Sequence, residues 1–284
     1  MKFLNSKIGF FLYLILQNRF VQQLISEEEK KNINEINNKH NNVRLDYNSQ
    51  DYQSGKNWSS FNTKDDYRGW LKFIPEFTKK VKVLEIGPGS GYYSRFICEN
   101  NNVEHYSFCE LNLNFREYLS EQLTKLKLSK DNFSFFSFKE NFLDNRVQTK
   151  YDYIFFISSF HHIPNREEYF KKCFNLLNSN GKIIFIEPTH YLFRIINILK
   201  KFLTVYKNYN KEQIVKNCST HAFCTVAEFK SITKKFKKIC SIDNDYIVRS
   251  KKINKVLDYI KVNFVRNLIS KYFSAEIVTI IEKK

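Results

Sequence analysis

Residues 81–93 read VKVLEIGPGSGYY, with glycines at 87, 89 and 91 directly after an apolar run. A strand that ends in such a turn and then opens a helix brings bare backbone close to a ligand. Side chains at those positions would block the approach. A P-loop would need G-x-x-x-x-G-K-[ST], and no Lys or Thr follows here, so that reading fails. The dinucleotide fingerprint G-x-G-x-x-G fails as well, because its third glycine would fall on Tyr92. Glu85 stands two residues before the first glycine. A carboxylate there would repel a pyrophosphate and favour a cation. The next apolar run ends at Glu110, nineteen residues past Gly91. A carboxylate at that point can accept hydrogen bonds from both hydroxyls of an adenosine ribose. S-adenosylmethionine carries a sulfonium and an ammonium and no phosphate, so it meets both demands. A tight structural turn is the plain alternative.

Such residues need elements that bring them together. Apolar strand candidates lie at 81–86, 103–109, 133–138, 152–158 and 182–187, with helix candidates at 92–99, 113–127 and 165–178 between them. Apolar strands that alternate with amphipathic helices indicate a parallel sheet covered on both faces. Ligands of such a sheet bind outside the carboxyl ends of its strands, where strand order reverses. The alternation breaks after Glu187. A helix is predicted at 225–236, a strand around 239–248, a helical stretch at 253–272 and a last strand at 275–282. Two insertions, about 189–220 and 249–273, interrupt this part.

VLEIGPGSGYYSRFI resembles motif I of the class I S-adenosylmethionine-dependent methyltransferases, in the type 11/12-like group. CELNLNFREYL (109–119) is similar to the segment whose acidic residue holds the ribose. KENFLD (139–144) is similar to the segment beside adenine, YDYIFFISSFHHI (151–163) to the fourth-strand motif, and LLNSNGKIIFIEP (176–188) to the turn and fifth strand. THAFCTVAEFKSITKKF (220–236) resembles the late helix whose preceding loop often touches substrate. These segments occur in the expected order and spacing. The resemblance implies a Rossmann-like seven-stranded, mostly parallel α/β sheet with helices on both faces and an antiparallel last strand. It places the methyltransferase domain at 65–284, with helical lid insertions, after a helical and polar extension over 1–64. It implies S-adenosylmethionine as cofactor, held by Glu85, Gly87, Gly89, Gly91, Glu110, Leu111, Asn141, Phe142 and Ser158. Two departures stand out: Asn141 or, one place off, Glu140 takes the place of an Asp beside adenine, and Ser179-Asn180-Gly181 takes the place of a Pro-Gly-Gly turn. An amide oxygen can still bond the adenine amino group, and Ser-Asn-Gly is good turn chemistry.

The resemblance implies methyl transfer but not an acceptor. Enzymes that methylate base amino groups carry a D/N-P-P-aromatic motif after the fourth strand, and this chain reads Ser158-Ser159-Phe160-His161. Cytosine C5 methylation needs a nucleophilic Cys, usually after Pro, and no Pro-Cys pair exists. Candidate bases near the strand ends are His161, His162, His190, His221 and Glu187. His162 matches a His that in the family more often fixes its loop than removes a proton. Glu187 can orient a substrate group or cap the next helix. The expected acceptor is an O or N atom of a small molecule, lipid- or sugar-linked variants included. RNA methylation and a non-catalytic binding role on the same fold are the alternatives.

The charge is uneven. The chain has 284 residues and a net charge of +17; from position 171 onward, 23 basic and 8 acidic residues leave +15. Such a field recruits anionic lipid, nucleic acid or acidic small molecules. No nucleic-acid-binding module is recognisable, so no nucleic-acid partner is expected. The apolar residues of 191–206 and 253–273 fall on helical faces among basic residues, as on lids or on membrane-surface helices. The run IGFFLYLIL at 8–16 is shorter than the roughly 20 residues a spanning helix needs, and QNRFVQQL rather than a cleavage site follows it. A cytoplasmic protein with peripheral membrane contact is the expectation. Cys218, His221 and Cys224 are spaced C-x2-H-x2-C, but no fourth ligand is near, so no metal is expected.

Overall fold

The computed structural model describes residues 69–99, 102–110, 113–125, 133–136, 149–163, 166–189, 224, 226–248, 251–274 and 276–284. Seven strands form one sheet: β1 Val81–Ile86, β2 Val103–Cys109, β3 Phe133–Phe136, β4 Tyr151–Ile157, β5 Leu177–Pro188, β6 Cys240–Ile247 and β7 Glu276–Lys283. Their order is β3-β2-β1-β4-β5-β7-β6. The pairings from β3 through β5 are parallel, whereas β7 pairs antiparallel with both β5 and β6. The helices are α1 Ser94–Cys98, α2 Leu113–Lys125, α3 Arg166–Asn175, α4 Val226–Ile232, α5 Lys251–Tyr259 and α6 Asn263–Phe273. This is the seven-stranded Rossmann-like sheet expected from the sequence, last strand included.

Period-two side-chain alternation divides the core into two layers. Val83, Tyr106, Phe108, Phe155, Ile184 and Val278 point to one face, where Ile97 of α1 and Leu119 and Leu123 of α2 cover them. Leu84, Ile86, Ile154, Phe156, Ile183 and Phe185 point to the other, against Phe170 and Phe174 of α3 and Phe229 of α4. Both faces are therefore apolar, which is why the central strands read as nearly continuous apolar runs. Aromatic pairs fill much of this volume. Phe156 and Phe185, on adjacent strands, stack with ring centroids 4.8 Å apart.

Two predicted boundaries shift. The helix expected over 165–178 ends at Asn175, because Leu177 already pairs with Tyr151 of β4. β5 then bulges through Asn180, which has φ +63°, and resumes its register at Lys182. Asn tolerates that left-handed conformation better than most residues. At Gly181 a Cβ would come within about 3 Å of the carbonyl oxygens of Asn178 and Tyr151. The single helical stretch expected at 253–272 is two helices, α5 and α6, with a break at Ile260–Val262.

Candidate active site at the carboxyl edge of the sheet

β1 lies between β2 and β4, so strand order reverses beside it, and the crevice opens at the carboxyl ends of these strands. Ile86 is level with Cys109 on β2 and with Phe156 on β4, and Ile157 is level with Ile186 on β5. Parallel register therefore brings to one rim Gly87, Glu110 and Ser158, which follow β1, β2 and β4, and Glu187 at the end of β5.

The glycine turn is left-handed throughout its key positions, with φ of +69° at Gly87, +57° at Gly89 and +77° at Gly91. At Gly87 two constraints coincide. Any other residue would be strained by its backbone, and a Cβ would sit 2.7 Å from that of Ser159. At Gly89 nothing lies within 4 Å of a built Cβ, so the backbone there faces open space. Glu110, itself buried, reaches back across the crevice and accepts the Gly89 N–H at 2.9 Å through Oε2. The turn and the candidate ribose carboxylate are thus one hydrogen-bonded unit.

Glu85 lies beneath the turn, 2% exposed, on the same face as Val83 and Tyr106. Its Oε2 accepts two hydroxyls, Ser94 Oγ at 2.6 Å and Tyr106 Oη at 2.7 Å. Burial pushes its carboxyl up to about 7; the two hydroxyl donors oppose the shift and the nearby Glu110 adds to it. Ser94 and Tyr106 were not singled out from the sequence. The signal was available, since Tyr106 pairs with Val83 and shares the Glu85 face by period two.

Beyond β4 the chain turns sharply. Ser158 has φ +56°, an unfavourable conformation for a residue with a side chain, and its N–H bonds the Ile186 carbonyl at 2.8 Å. The next residues are held by Glu187, whose carboxylate is fully buried. Oε1 accepts the N–H groups of Ser159 and Phe160 at 3.0 and 2.7 Å. Oε2 accepts the His161 N–H at 3.3 Å and lies 2.7 Å from His161 Nδ1. Ser159 Oγ in turn donates to the Ile86 carbonyl at 2.5 Å, tying this loop to β1. Glu187 therefore satisfies the first turn of the Phe160–His162 3-10 segment rather than facing the crevice with a free oxygen. His161, also buried, is oriented by that contact. His162 belongs to the same turn, but its side chain lies outside the described residues, as do Leu111, Glu140, Asn141, Phe142 and His190. Cys224 is buried, whereas Cys218 and His221 fall outside the description. Among the described residues no group of three His, Cys, Asp or Glu could hold a metal ion.

Residues 84–183 match a protein-family model described as a methyltransferase domain. Among solved structures, the plantazolicin methyltransferase BpumL in complex with SAH is similar, with a TM-score of 0.53 and 13% identity. That match covers 90% of this chain and 98% of BpumL. The plantazolicin methyltransferase BamL, in complex with a triazolic desmethylPZN analog and SAH, gives a TM-score of 0.53 at 14% identity, covering 89% of this chain and 98% of its own. No curated protein matches the chain. The matched segment spans the glycine turn, Glu110 and strands β2 to β4. Residues 84–183 thus match a methyltransferase domain, on a fold that the chain shares with solved methyltransferases.

Proposed function

We propose that the protein methylates an oxygen or nitrogen atom of a small molecule, with lipid- or sugar-linked acceptors included, as a cytoplasmic protein that meets membrane surfaces peripherally. The observation that carries the cofactor side is the Gly89–Glu110 contact at the switch point, with Glu85 buried beneath it. S-adenosylmethionine supplies an electrophilic methyl on a sulfonium when bound. The residues present fit that molecule. Glu110 accepts hydrogen bonds from vicinal ribose hydroxyls, the bare turn admits close approach, and the acidic pair Glu85 and Glu110 complements a cation rather than a phosphate.

Support on the acceptor side is of a different kind. Ser158–His161 lacks the motif of base amino methylation, and its backbone donors at 159–161 are already bound by Glu187. In this reading Glu187 and His161 are positioning residues that hold the rim of the crevice, and catalysis rests on alignment of acceptor and methyl group and on exclusion of water. The solved plantazolicin methyltransferases hold azolic desmethylPZN analogs, which is compatible with a small acceptor.

The test has two stages. Calorimetric titration of the full chain with S-adenosylmethionine should show binding that Glu110→Ala weakens at least tenfold; no binding by the wild-type chain would sink the reading. Methyl-donor consumption is then screened against lipid, sugar and RNA extracts. Turnover on lipid or sugar fractions supports the proposal, and turnover confined to RNA replaces it with the nucleic-acid alternative.

A further inference from the structure

Helix α6 is amphipathic in the reverse sense. Its polar residues Asn263, Arg266, Asn267 and Ser270 line a cavity of about 700 Å³, together with Asn254 and Asp258 of α5 and the end of β6. Its apolar residues Phe264, Val265, Leu268 and Tyr272 are 40–74% exposed. At about 100° per residue these four fall within a stripe of roughly 100° on the side opposite the cavity. α5 repeats the arrangement, with Leu257 buried and Val256 and Tyr259 56% and 86% exposed. Val262, in the break between the helices, is 59% exposed, so the apolar surface runs from one helix to the other. A soluble surface helix normally turns such residues inward.

The charges on this side have one sign. Lys252 and Lys255 of α5 share the outward face of Val256 and Tyr259, and Lys261 lies in the break; all three are exposed. None of them makes an ion pair among the described residues. Asp258, the acid of this element, lines the cavity instead. The occupant must therefore be apolar within and anionic at its surface. A second copy would set lysines against lysines. The apolar segments 1–25 and 191–206 of this chain contain Lys or Arg and no Asp or Glu, so they repel it as well.

We propose that the outward face of α5 and α6 is a docking surface for an anionic lipid bilayer. β6 ends at Ile247, level with Glu276 at the start of β7, and Glu276 is level with Pro188 of β5. The helix pair therefore stands at the same edge of the sheet as Gly87, Glu110 and Glu187, and docking presents the crevice to the membrane. Phe264, Leu268 and Tyr259 enter the headgroup boundary, while the lysines pair with lipid phosphates. Docking itself needs only this surface; that the acceptor comes from the bilayer rests on the small-molecule methylation reading.

Flotation of the full chain with vesicles of phosphatidylcholine, alone or mixed with phosphatidylglycerol, tests this. Binding is expected on the anionic vesicles and should weaken as salt rises from about 0.1 M to about 1 M. Three lysines contribute on the order of a hundredfold in partitioning, so K252E/K255E/K261E should abolish most of it. F264S/L268S should do so without a change in the melting temperature, since both side chains are already exposed. S-adenosylmethionine binding, measured on the same variants, should be intact, which separates failure of docking from failure of the enzyme reading. Equal binding to neutral and anionic vesicles overturns the proposal, as does unaltered binding by both variants. A concentration-dependent dimer that F264S disperses, with no vesicle binding, assigns the face to a second copy and also overturns it.

Discussion

Glu85 offers the sharpest test of how the site is built. Its carboxyl is buried and pushed up to about 7 from an ordinary 4.5, chiefly by desolvation. Below pH 4.5 it is protonated in both folded and unfolded chains, so it adds no pH dependence. Between 4.5 and 7 the unfolded chain releases the proton and the folded one keeps it. The folded state then binds more protons, and stability falls as pH rises. Above 7 both forms are ionised and the cost levels off at about 3 kcal/mol, from a shift of about 2.5 units at 1.36 kcal/mol each. Glu85→Gln removes this titration. Its amide oxygen can take the place of Oε2, which receives both the Ser94 and Tyr106 hydroxyls. The variant should therefore match the wild type near pH 4.5 and exceed it above pH 7 by up to about 3 kcal/mol, or roughly 5–10 °C in Tm. Circular-dichroism melts of the ligand-free protein across that range would show it. A wild-type-minus-variant difference that does not change with pH would refute the reasoning, because the folded-state carboxyl would then titrate as in the unfolded chain. A variant less stable than wild type at pH 8 would refute it too, since the ionised form would have to be favoured by its two donors.

Other expectations follow from the same geometry. Gly87→Ala meets both the left-handed backbone and the Ser159 Cβ, and should lose about 2–4 kcal/mol in urea unfolding. Adding Ser159→Gly should relieve the contact part but also remove the Ser159 Oγ–Ile86 hydrogen bond, so the single Ser159→Gly variant is measured beside the pair to separate the two. Glu187→Ala strands buried N–H groups at 159–161 and should lose 3 kcal/mol or more; Glu187→Gln should be milder. If Glu187 instead acts as the base, Glu187→Gln would abolish turnover with little loss of stability, and that result would reassign it. S-adenosylmethionine should bind the wild type more tightly at pH 8 than at pH 6, because a cation favours ionised Glu85, whereas Glu85→Gln should show a smaller difference by calorimetry.

Much of the fold was legible from local pattern. The glycine turn, the strand before it and the acidic end of the next strand lie within about one βαβ unit, and their chemistry is carried by residue type and spacing. The strands of the parallel part, β1 to β5, appear near their expected places because buried parallel strands must be apolar on both faces. Other features depended on what each side chain meets across the sheet. Glu85 reads from sequence as an acid near the ligand, but the β1–β2 register turns it beneath the turn toward Tyr106 and Ser94. Glu187 reads as a candidate base, yet the neighbouring β4 loop presents three N–H groups to it, and a buried carboxylate binds such donors. The outward apolar stripe of α6 has the same periodicity as an ordinary core-facing helix. Periodicity states that a helix has two faces; the packing of α5 and α6 on the end of β6 decided which face meets the protein.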